Sequence, residues 1–348
     1  LLLLCMAASC FGCLMVASAT KYSCAEGEWI SRDLRAMLIA VAVGIVIALI
    51  ISFIDYEIII RLWPLIAGVS VFLLLLTLVI GVGPSGRSDV RSWLVLPGGY
   101  YFQPSELVKI GFIVTFGVHL DIVKDQIRNI KTVLLLCLHG AVPTLLVMLA
   151  GDMGSSLVFL VIFAVMLFMG GIAPKHIALG AAIVVAAVPF AWKFVLGDIQ
   201  KSRILALIYP EDYPDIIYQQ QQGLTALGSG GWTGEGLFQG QYTQSHAIPE
   251  GQNDMIFSVT GEELGFFGCL FALFILAMIV LKIVSTGNHS RDNATSLMCY
   301  GLAAMLTGQI IINVGMCLML LPVVGITLPF YSAGGSSTLC LYVGIGLA

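Results

Sequence analysis

The chain has 348 residues, of which 59% are hydrophobic and only 10% carry a charge. Soluble domains contain about 25% charged residues, so this composition excludes an ordinary soluble protein and indicates an integral membrane protein. The formal net charge of -4 and the lack of any run of basic residues give no reason to expect a nucleic-acid partner.

Ten apolar stretches approach the length of about 20 residues that a helix needs to cross a bilayer. They predict an all-α polytopic membrane protein with about ten transmembrane helices, forming one domain over residues 1–348. Both termini lie inside apolar stretches, so we expect the natural protein to extend beyond both ends. The predicted spans are 1–18, 36–54, 62–82, 105–120, 132–150, 154–170, 176–196, 255–284, 295–320 and 336–348.

Basic residues indicate the orientation, because short cytoplasmic loops of membrane proteins are enriched in Lys and Arg. A cytoplasmic N-terminus places three longer segments outside, at 83–104, 197–254 and 321–335. The second is a large extracytoplasmic loop between helices 7 and 8. It is polar and rich in glycine, and a connection of this length is typically functional or disordered. The short inner loops then carry Arg61, Lys124, Arg128, Lys131, Lys175, Lys282 and Arg291.

The stretch F-Q-P-S-E-L-V-K at residues 102–109 places two opposite charges at the start of an apolar helix. Pro104 and Ser105 favour a helix start, and Glu106 and Lys109 then share one helix face. Charges are costly inside a bilayer, so such a pair predicts a functional site. It is either a structural ion pair between helices or a pair that lines a polar cavity and meets a charged substrate.

Two aspartates precede predicted spans. Asp254 ends the large outer segment, directly before the apolar run that starts at Met255. It is either a helix N-cap or a general base held at the membrane surface. Asp152, flanked by Gly151 and Gly154, is predicted to be an N-cap where the glycines bend the chain.

Four predicted outer cations are Arg87, Arg91, Lys201 and Arg203. Guanidinium groups bind phosphate oxygens bidentately, so these residues are candidates to hold a phosphate-bearing lipid. The alternative for each is a solvated charge or one that faces lipid headgroups. No spacing of Cys and His indicates a metal site, so the sequence predicts no certain cofactor and leaves a divalent cation open.

The last outer segment, residues 321–337, contains prolines and glycines that break any helix. Non-helical backbone at membrane depth is tolerated only where protein covers it or where it lines a wet cavity. This segment therefore indicates a site close to the helices that it joins.

Together, four blocks in the same order resemble the SEDS family, the shape, elongation, division and sporulation proteins that include RodA and FtsW. The resemblance covers nearly the whole chain. It departs at Cys317, where Asn is usual, at Thr327, where proline is usual, and at Ala333, where an aromatic residue is usual. The blocks are Arg91-Ser92-Trp93 with 102–109, then 151–156, then 228–265, and finally 313–337.

The resemblance implies a peptidoglycan glycosyltransferase that polymerises lipid II into glycan strands at the outer face of the bacterial inner membrane, for elongation or division. It implies that Asp254 is catalytic, because Asn253-Asp254-Met255-Ile256-Phe257 matches the family's motif with Met255 in place of Phe. It also implies a class B penicillin-binding protein as partner. The supporting or substrate-binding candidates are Glu106, Lys109, Arg91 and Asp152.

Two rival functions come from other classes. Intramembrane charges and broken helices also suit a transporter or lipid II flippase, and the chain is alternatively a non-catalytic scaffold of the cell-wall synthesis complex. A flippase needs access from both faces of the membrane, whereas a polymerase needs its carboxylate on the outer face. The predicted position of Asp254 at an outer helix mouth favours the enzyme.

Overall fold

The computed structural model describes residues 1–23, 30–83, 90–97, 99–194 and 196–348, so Arg87 lies outside the described residues. Within these ranges the chain forms fourteen α-helices and one short β-hairpin. The helices are α1 (Leu2–Ala19), α2 (Arg32–Ser52), α3 (Tyr56–Arg61), α4 (Trp63–Ile80), α5 (Pro104–Ile122), α6 (Ile130–Leu149), α7 (Met153–Met169), α8 (Pro174–Phe194), α9 (Asp198–Ile208), α10 (Pro214–Ser229), α11 (Gln241–Gln244), α12 (Ile256–His289), α13 (Asn293–Cys317) and α14 (Gly335–Leu347).

Ten of the described helices correspond to the ten predicted spans, so the all-α polytopic fold is confirmed. Seven of them, namely α1, α2, α4, α6, α8, α12 and α13, are long and apolar enough to cross a membrane. Helices α7 and α14 are shorter but apolar. Helix α5 has the length of a span but carries Glu106, Lys109 and Asp121. Helices prevail because lipid offers no hydrogen-bond partner to the backbone.

The segment between α8 and α12, predicted as a large polar loop, is about half helical. It contains α9, α10 and α11. Helix α10 starts with Pro214 at its first turn and buries Ile217, Gln220 and Gly223, which recur at helical spacing. The polar residues between these positions hide the periodicity from a sequence reading.

A short hairpin that the sequence did not predict precedes α5. Strand β1 (Leu94–Leu96) pairs antiparallel with β2 (Tyr100–Phe102), and Val95 lies opposite Tyr101. The hydroxyl of Ser336 at the start of α14 donates to the backbone oxygen of Tyr101 at 3.0 Å. The hairpin thereby joins the start of α5 to the start of α14.

Helix α13 lies at the centre of the bundle and packs against α12, α7 and α5, while α14 packs along α2. Small residues allow close approach of helices in membranes. At Gly44 on α2, for example, an added Cβ would lie 2.8 Å from the ring of Tyr342 on α14. Helix α8 lies at the periphery, with none of its described residues buried.

Candidate active site

The segment between α13 and α14 covers the ends of several helices. Asn313 on α13 donates through Nδ2 to the backbone oxygens of Asp254, at 2.7 Å, and of Ile326, at 2.8 Å. The backbone N–H of Ala333 donates to the oxygen of Gln252 at 2.9 Å. The predicted non-helical segment is thus fixed to the chain that leads into α12.

Asp254 lies at the mouth of α12 and is 7% exposed. Its Oδ1 accepts a hydrogen bond of 3.1 Å from Nε2 of Gln219, which belongs to α10. The alternative role as a helix cap is wrong, because Met255 occupies the N-cap position and no side chain caps α12. The carboxylate of Asp254 therefore does not cap α12, and the side-chain donor that it meets is Gln219.

Burial raises the pKa of Asp254 to about 7, and the negative charge of Glu250 acts in the same direction. The positive charge of Arg203 and the hydrogen bond from Gln219 act in the opposite direction and lower the pKa. A general base is most effective when its pKa lies near the operating pH. The environment of Asp254 thus suits a base that works at neutral pH.

A cavity of about 190 Å³ lies between the start of α7, helix α9 and the segment that follows α13. One wall carries Asp152 and Gln103, whose Nε2 donates to Oδ2 of Asp152 at 2.7 Å. Oδ1 of Asp152 accepts from the backbone N–H of Ser155 at 2.9 Å, which confirms the predicted N-cap. The cavity is lined by Val90, Ser92, Trp93, Gln103, Gly151, Asp152, Met153, Leu196, Ile199, Gln200, Arg203, Ile204, Pro322, Val324 and Gly325.

Arg203 on α9 connects this cavity with Asp254. Its Nη1 donates to the backbone oxygen of Val323 at 2.7 Å, and its side chain lines the cavity. Its charge also acts on the carboxylate of Asp254. Arg91, in contrast, is exposed, with Nη1 at 3.4 Å from the oxygen of Leu78, and it does not line the cavity.

The predicted ion pair on α5 is present and buried. Nζ of Lys109 lies 2.7 Å from Oε1 of Glu106, and the two residues are 0% and 5% exposed. Ser105, next in sequence to Glu106, donates its hydroxyl to Oδ2 of Asp152 at 3.3 Å. The pair lies close to the cavity without lining it, so the geometry is that of an ion pair inside the helix bundle.

Nowhere in the described ranges do three His, Cys, Asp or Glu side chains come together as a metal-binding group. We therefore assign no step of the chemistry to a metal ion.

The family model described as "Cell cycle protein", which groups FtsW, RodA and SpoVE, matches residues 1–348. The chain belongs to this family. The resemblance inferred from four sequence blocks is thereby confirmed.

Two curated relatives illustrate the similarity. "Probable peptidoglycan glycosyltransferase FtsW" of Geobacter sulfurreducens is 32% identical over 359 residues, which cover 100% of this chain and 92% of the relative. "Peptidoglycan glycosyltransferase MrdB" of Escherichia coli is 30% identical over 337 residues, which cover 96% of this chain and 89% of the relative.

Solved structures share the fold. A chain from a study of how a peptidoglycan synthase complex coordinates polymerisation and crosslinking matches with a TM-score of 0.82 and 26% identity. The match covers 99% of this chain and 94% of that chain. The rod shape determining protein RodA of Thermus thermophilus matches with a TM-score of 0.71 and 24% identity, over 99% and 93% of the two chains.

The structure places three polar residues around Asp254 that the sequence does not connect with it. Gln219 belongs to a run of four glutamines in the predicted loop. Only the structure shows that this run lies on α10 and that the side chain of Gln219 reaches Asp254. Asn313 lies inside an apolar span, which is itself a signal, since polar residues in spans are costly. Arg203 is one of four predicted outer cations, but the sequence favours Arg91 as a site residue because Arg91 lies in one of the family blocks.

Cys317, where the chain departs from the family pattern, contacts the backbone at Asp254. Sγ of Cys317 lies 3.6 Å from the backbone oxygen of Asp254 and 3.8 Å from Sδ of Met255. A thiol is a weak donor. Asn313, one turn earlier on α13, makes the shorter contact with the same oxygen. The backbone at Asp254 therefore stays anchored although Cys317 occupies a position where Asn is usual.

Proposed function

We propose that this chain, a multi-pass protein of the bacterial inner membrane, is a peptidoglycan glycosyltransferase that polymerises lipid II at the outer membrane face. Family membership and the names of the curated relatives support the activity. The observation that carries the assignment of the chemistry is the buried Asp254, whose pKa of about 7 suits a general base.

In the proposed reaction, Asp254 takes the proton of the 4-hydroxyl group on the incoming lipid II sugar. The hydroxyl oxygen attacks the anomeric carbon of the growing glycan, and a new glycosidic C–O bond forms. The bond between that carbon and the polyprenyl pyrophosphate breaks, and the pyrophosphate leaves with the electron pair. Removal of the proton by a positioned base contributes about 10²–10⁴ in rate.

The leaving pyrophosphate needs positive charge. Arg203 is the best placed guanidinium, since it lines the cavity and acts electrostatically on Asp254. Arg91 remains a candidate for contact with phosphate at the surface, where its side chain is exposed. Lys109 is bound to Glu106 in this conformation, so we assign it a supporting role.

The volume of the cavity limits the size of the group that can bind in it. Ligand pockets usually measure about 300–1,000 Å³, and this cavity measures about 190 Å³. It therefore accommodates part of a polar headgroup rather than a whole lipid-linked disaccharide. We propose that it holds the pyrophosphate region while the polyprenyl chain remains in the bilayer.

The test of this function is an assay of purified protein with lipid II, followed by gel analysis of the glycan product. A polymerase yields a ladder of glycan chains. A flippase in vesicles moves lipid II between leaflets without forming polymer, and a scaffold does neither. Transport without polymer, in the presence of the partner, would contradict the proposal.

The pH dependence of the rate gives a further prediction. Asp254 acts as a base only when it is deprotonated, so we expect kcat/KM to rise with pH and to level off above about 7. Removal of the negative charge in Glu250→Gln stabilises the carboxylate of Asp254 and lowers its pKa. We therefore expect the acid limb of this variant to lie at lower pH, as measured by initial polymerisation rates across a buffer series.

The matched control for that series is Glu211→Gln, which removes an exposed carboxylate from the same inter-helix segment. Its acid limb should coincide with that of the unmodified protein. An unmodified profile without any acid limb between pH 5 and about 8 would contradict a base with the pKa of Asp254.

We further propose a class B penicillin-binding protein as partner, since the matched synthase chain comes from a complex that combines polymerisation with crosslinking. The segment that carries Gln219 and leads to Asp254 packs on α12 and is the part that a partner contact would reposition. We expect the isolated chain to be weakly active and the partner to raise the rate severalfold at fixed lipid II.

A partner variant without its transpeptidase serine separates contact from crosslinking. We expect this variant to raise the polymerisation rate as much as the unmodified partner does, because contact alone positions the segment. Equal rates with and without any partner would contradict the proposal.

A further inference from the structure

Helix α12 is broken at Gly265, and the break is stabilised by a separate glycine-rich segment. Gly265 has φ 66° and ψ -164°, a conformation that is essentially restricted to glycine. The break leaves backbone groups of α12 without partners inside the helix. Unpaired backbone groups are costly where water is scarce, so these groups need partners from elsewhere in the chain.

Residues 231–236 supply these partners. The N–H groups of Glu235 and Gly236 donate to the oxygens of Glu262 and Glu263, at 2.9 and 3.0 Å. In the other direction, the N–H of Phe266 donates to the oxygen of Gly231 at 2.9 Å, and that of Phe267 to Trp232 at 3.2 Å. The glycine-rich segment is therefore docked against the break as an ordered element.

The side chain of Glu262 binds the start of α11, which precedes Asp254 in the sequence. Its carboxylate is 0% exposed and accepts three hydrogen bonds from the start of α11. Oε1 accepts from the N–H of Tyr242 at 2.5 Å. Oε2 accepts from the N–H and from the hydroxyl of Thr243, at 2.9 and 2.6 Å.

The neighbouring Glu263 binds the end of α11 and connects it to α1. Its Oε1 accepts from Nε2 of Gln244 at 3.1 Å and from the hydroxyl of Ser18 at 2.6 Å. The carboxylates of Glu262 and Glu263 thus hold the same short helix, α11. In the sequence this helix lies between Gln219 and Asp254, the proposed base to which Gln219 donates a hydrogen bond.

The segment on both sides of α11 is strained. Phe238, His246 and Glu250 have φ values of 63°, 59° and 53°, in the left-handed region that residues with a Cβ rarely adopt. Such conformations persist only where the surrounding structure determines them. Loss of an anchor should therefore let this segment relax, and the segment ends at Asp254.

We propose that Glu262 is a positioning residue for Asp254. Its carboxylate holds the strained segment on α12 and thereby keeps Asp254 buried against Gln219. The inference rests on the proposed function, since it concerns the geometry of the base in that reaction.

The decisive variant is Glu262→Gln, which keeps the size and shape of the side chain but replaces one carboxylate oxygen with an NH₂ group. Both oxygens of Glu262 accept from backbone N–H groups, so the amide of a glutamine must direct its NH₂ group at one of these donors in either orientation. Glu235→Gln is the matched control. The carboxylate of Glu235 accepts one bond, from the N–H of Gln241, and a glutamine oxygen can keep that bond.

We expect Glu262→Gln to lower the polymerisation rate by roughly tenfold to a hundredfold, as misplacement of reacting groups does. The acid limb of its pH profile should also move below that of the unmodified protein, because Asp254 becomes less buried. Glu235→Gln should change neither. A rate equal to that of Glu235→Gln would overturn the inference, and so would a lowered rate with an unmoved acid limb, since lost folding reduces only the amount of enzyme.

If Glu262→Gln does not fold, Thr243→Val tests whether Glu262 positions Asp254. Thr243→Val removes only the hydroxyl donor to Glu262 and keeps both backbone donors. The same two readouts apply, with a smaller expected loss. Asp254→Asn in the same assay separates the two hypotheses. Normal polymer from Asp254→Asn would contradict the proposed role of Asp254 as the base, whereas an inactive Asp254→Asn beside a fully active Glu262→Gln would contradict only the inference on Glu262.

Discussion

Asp254→Asn should reduce polymerisation of lipid II by about 10²–10⁴-fold, the usual contribution of a general base. The substitution keeps the size of the side chain and an oxygen that can accept the bond from Gln219. The backbone contact with Asn313 does not involve the side chain and should persist. The protein should therefore insert and fold normally, as judged by size-exclusion profile and thermal unfolding in detergent, while the gel shows little or no glycan.

Asp215→Asn is the matched control for this experiment. It makes the same change at an exposed aspartate of α10, in the same inter-helix segment, and should leave the product ladder unchanged. Near-normal polymer from purified Asp254→Asn would eliminate Asp254 as the base. In that case Asp152, the carboxylate that lines the cavity, would be the next residue to replace.

The second large effect is expected from single neutral replacements in the buried ion pair of Glu106 and Lys109 on α5. Glu106→Gln and Lys109→Met each leave one charge among buried side chains without its partner, and breaking a buried pair costs about 3–5 kcal/mol. We expect each single variant to lose stability by that order and to lose activity with it. The double variant should recover part of the loss, because it leaves no unpaired charge.

Thermal unfolding of the four proteins of the double-mutant cycle measures this coupling. The pair Glu57 and Arg61 on α3 provides a control, since its charged atoms are 3.3 Å apart but its side chains are 57% and 80% exposed. Exposed pairs contribute about 0–1 kcal/mol, so a cycle at this pair should show little coupling. Strictly additive losses for Glu106 and Lys109 would show that the two residues do not act as a pair.

Family membership and the number of spans were predictable because they depend on local properties of the chain. Apolar length decides whether a helix spans a bilayer, and lipid forces the backbone into helices whatever lies beside them. The start of α5 and the cap at Asp152 were also predictable, since proline and aspartate act within one turn. The ion pair of Glu106 and Lys109 follows from helical spacing alone.

The surroundings of Asp254 depend on contacts between distant parts of the chain. Gln219 reaches the carboxylate only because α10 is a helix that packs on α12, and Asn313 reaches its backbone from the end of α13. The pKa of about 7 follows from this burial and from the neighbouring charges. Sequence motifs indicated a candidate base but not the contacts that set its pKa.

The sequence by itself determined the spanning helices, the family and the identity of the candidate base, because these follow from short-range patterns. Tertiary structure decided the roles of residues whose partners lie far away in sequence. It separated Arg203 from Arg91, turned a predicted loop into packed helices, and showed that Glu262 anchors α11. The physical reason is that hydrogen bonds and burial depend on which surfaces meet in the folded bundle. A glycine such as Gly265 is an ordinary residue in the sequence, and only the docked segment 231–236 makes it the point where a helix breaks.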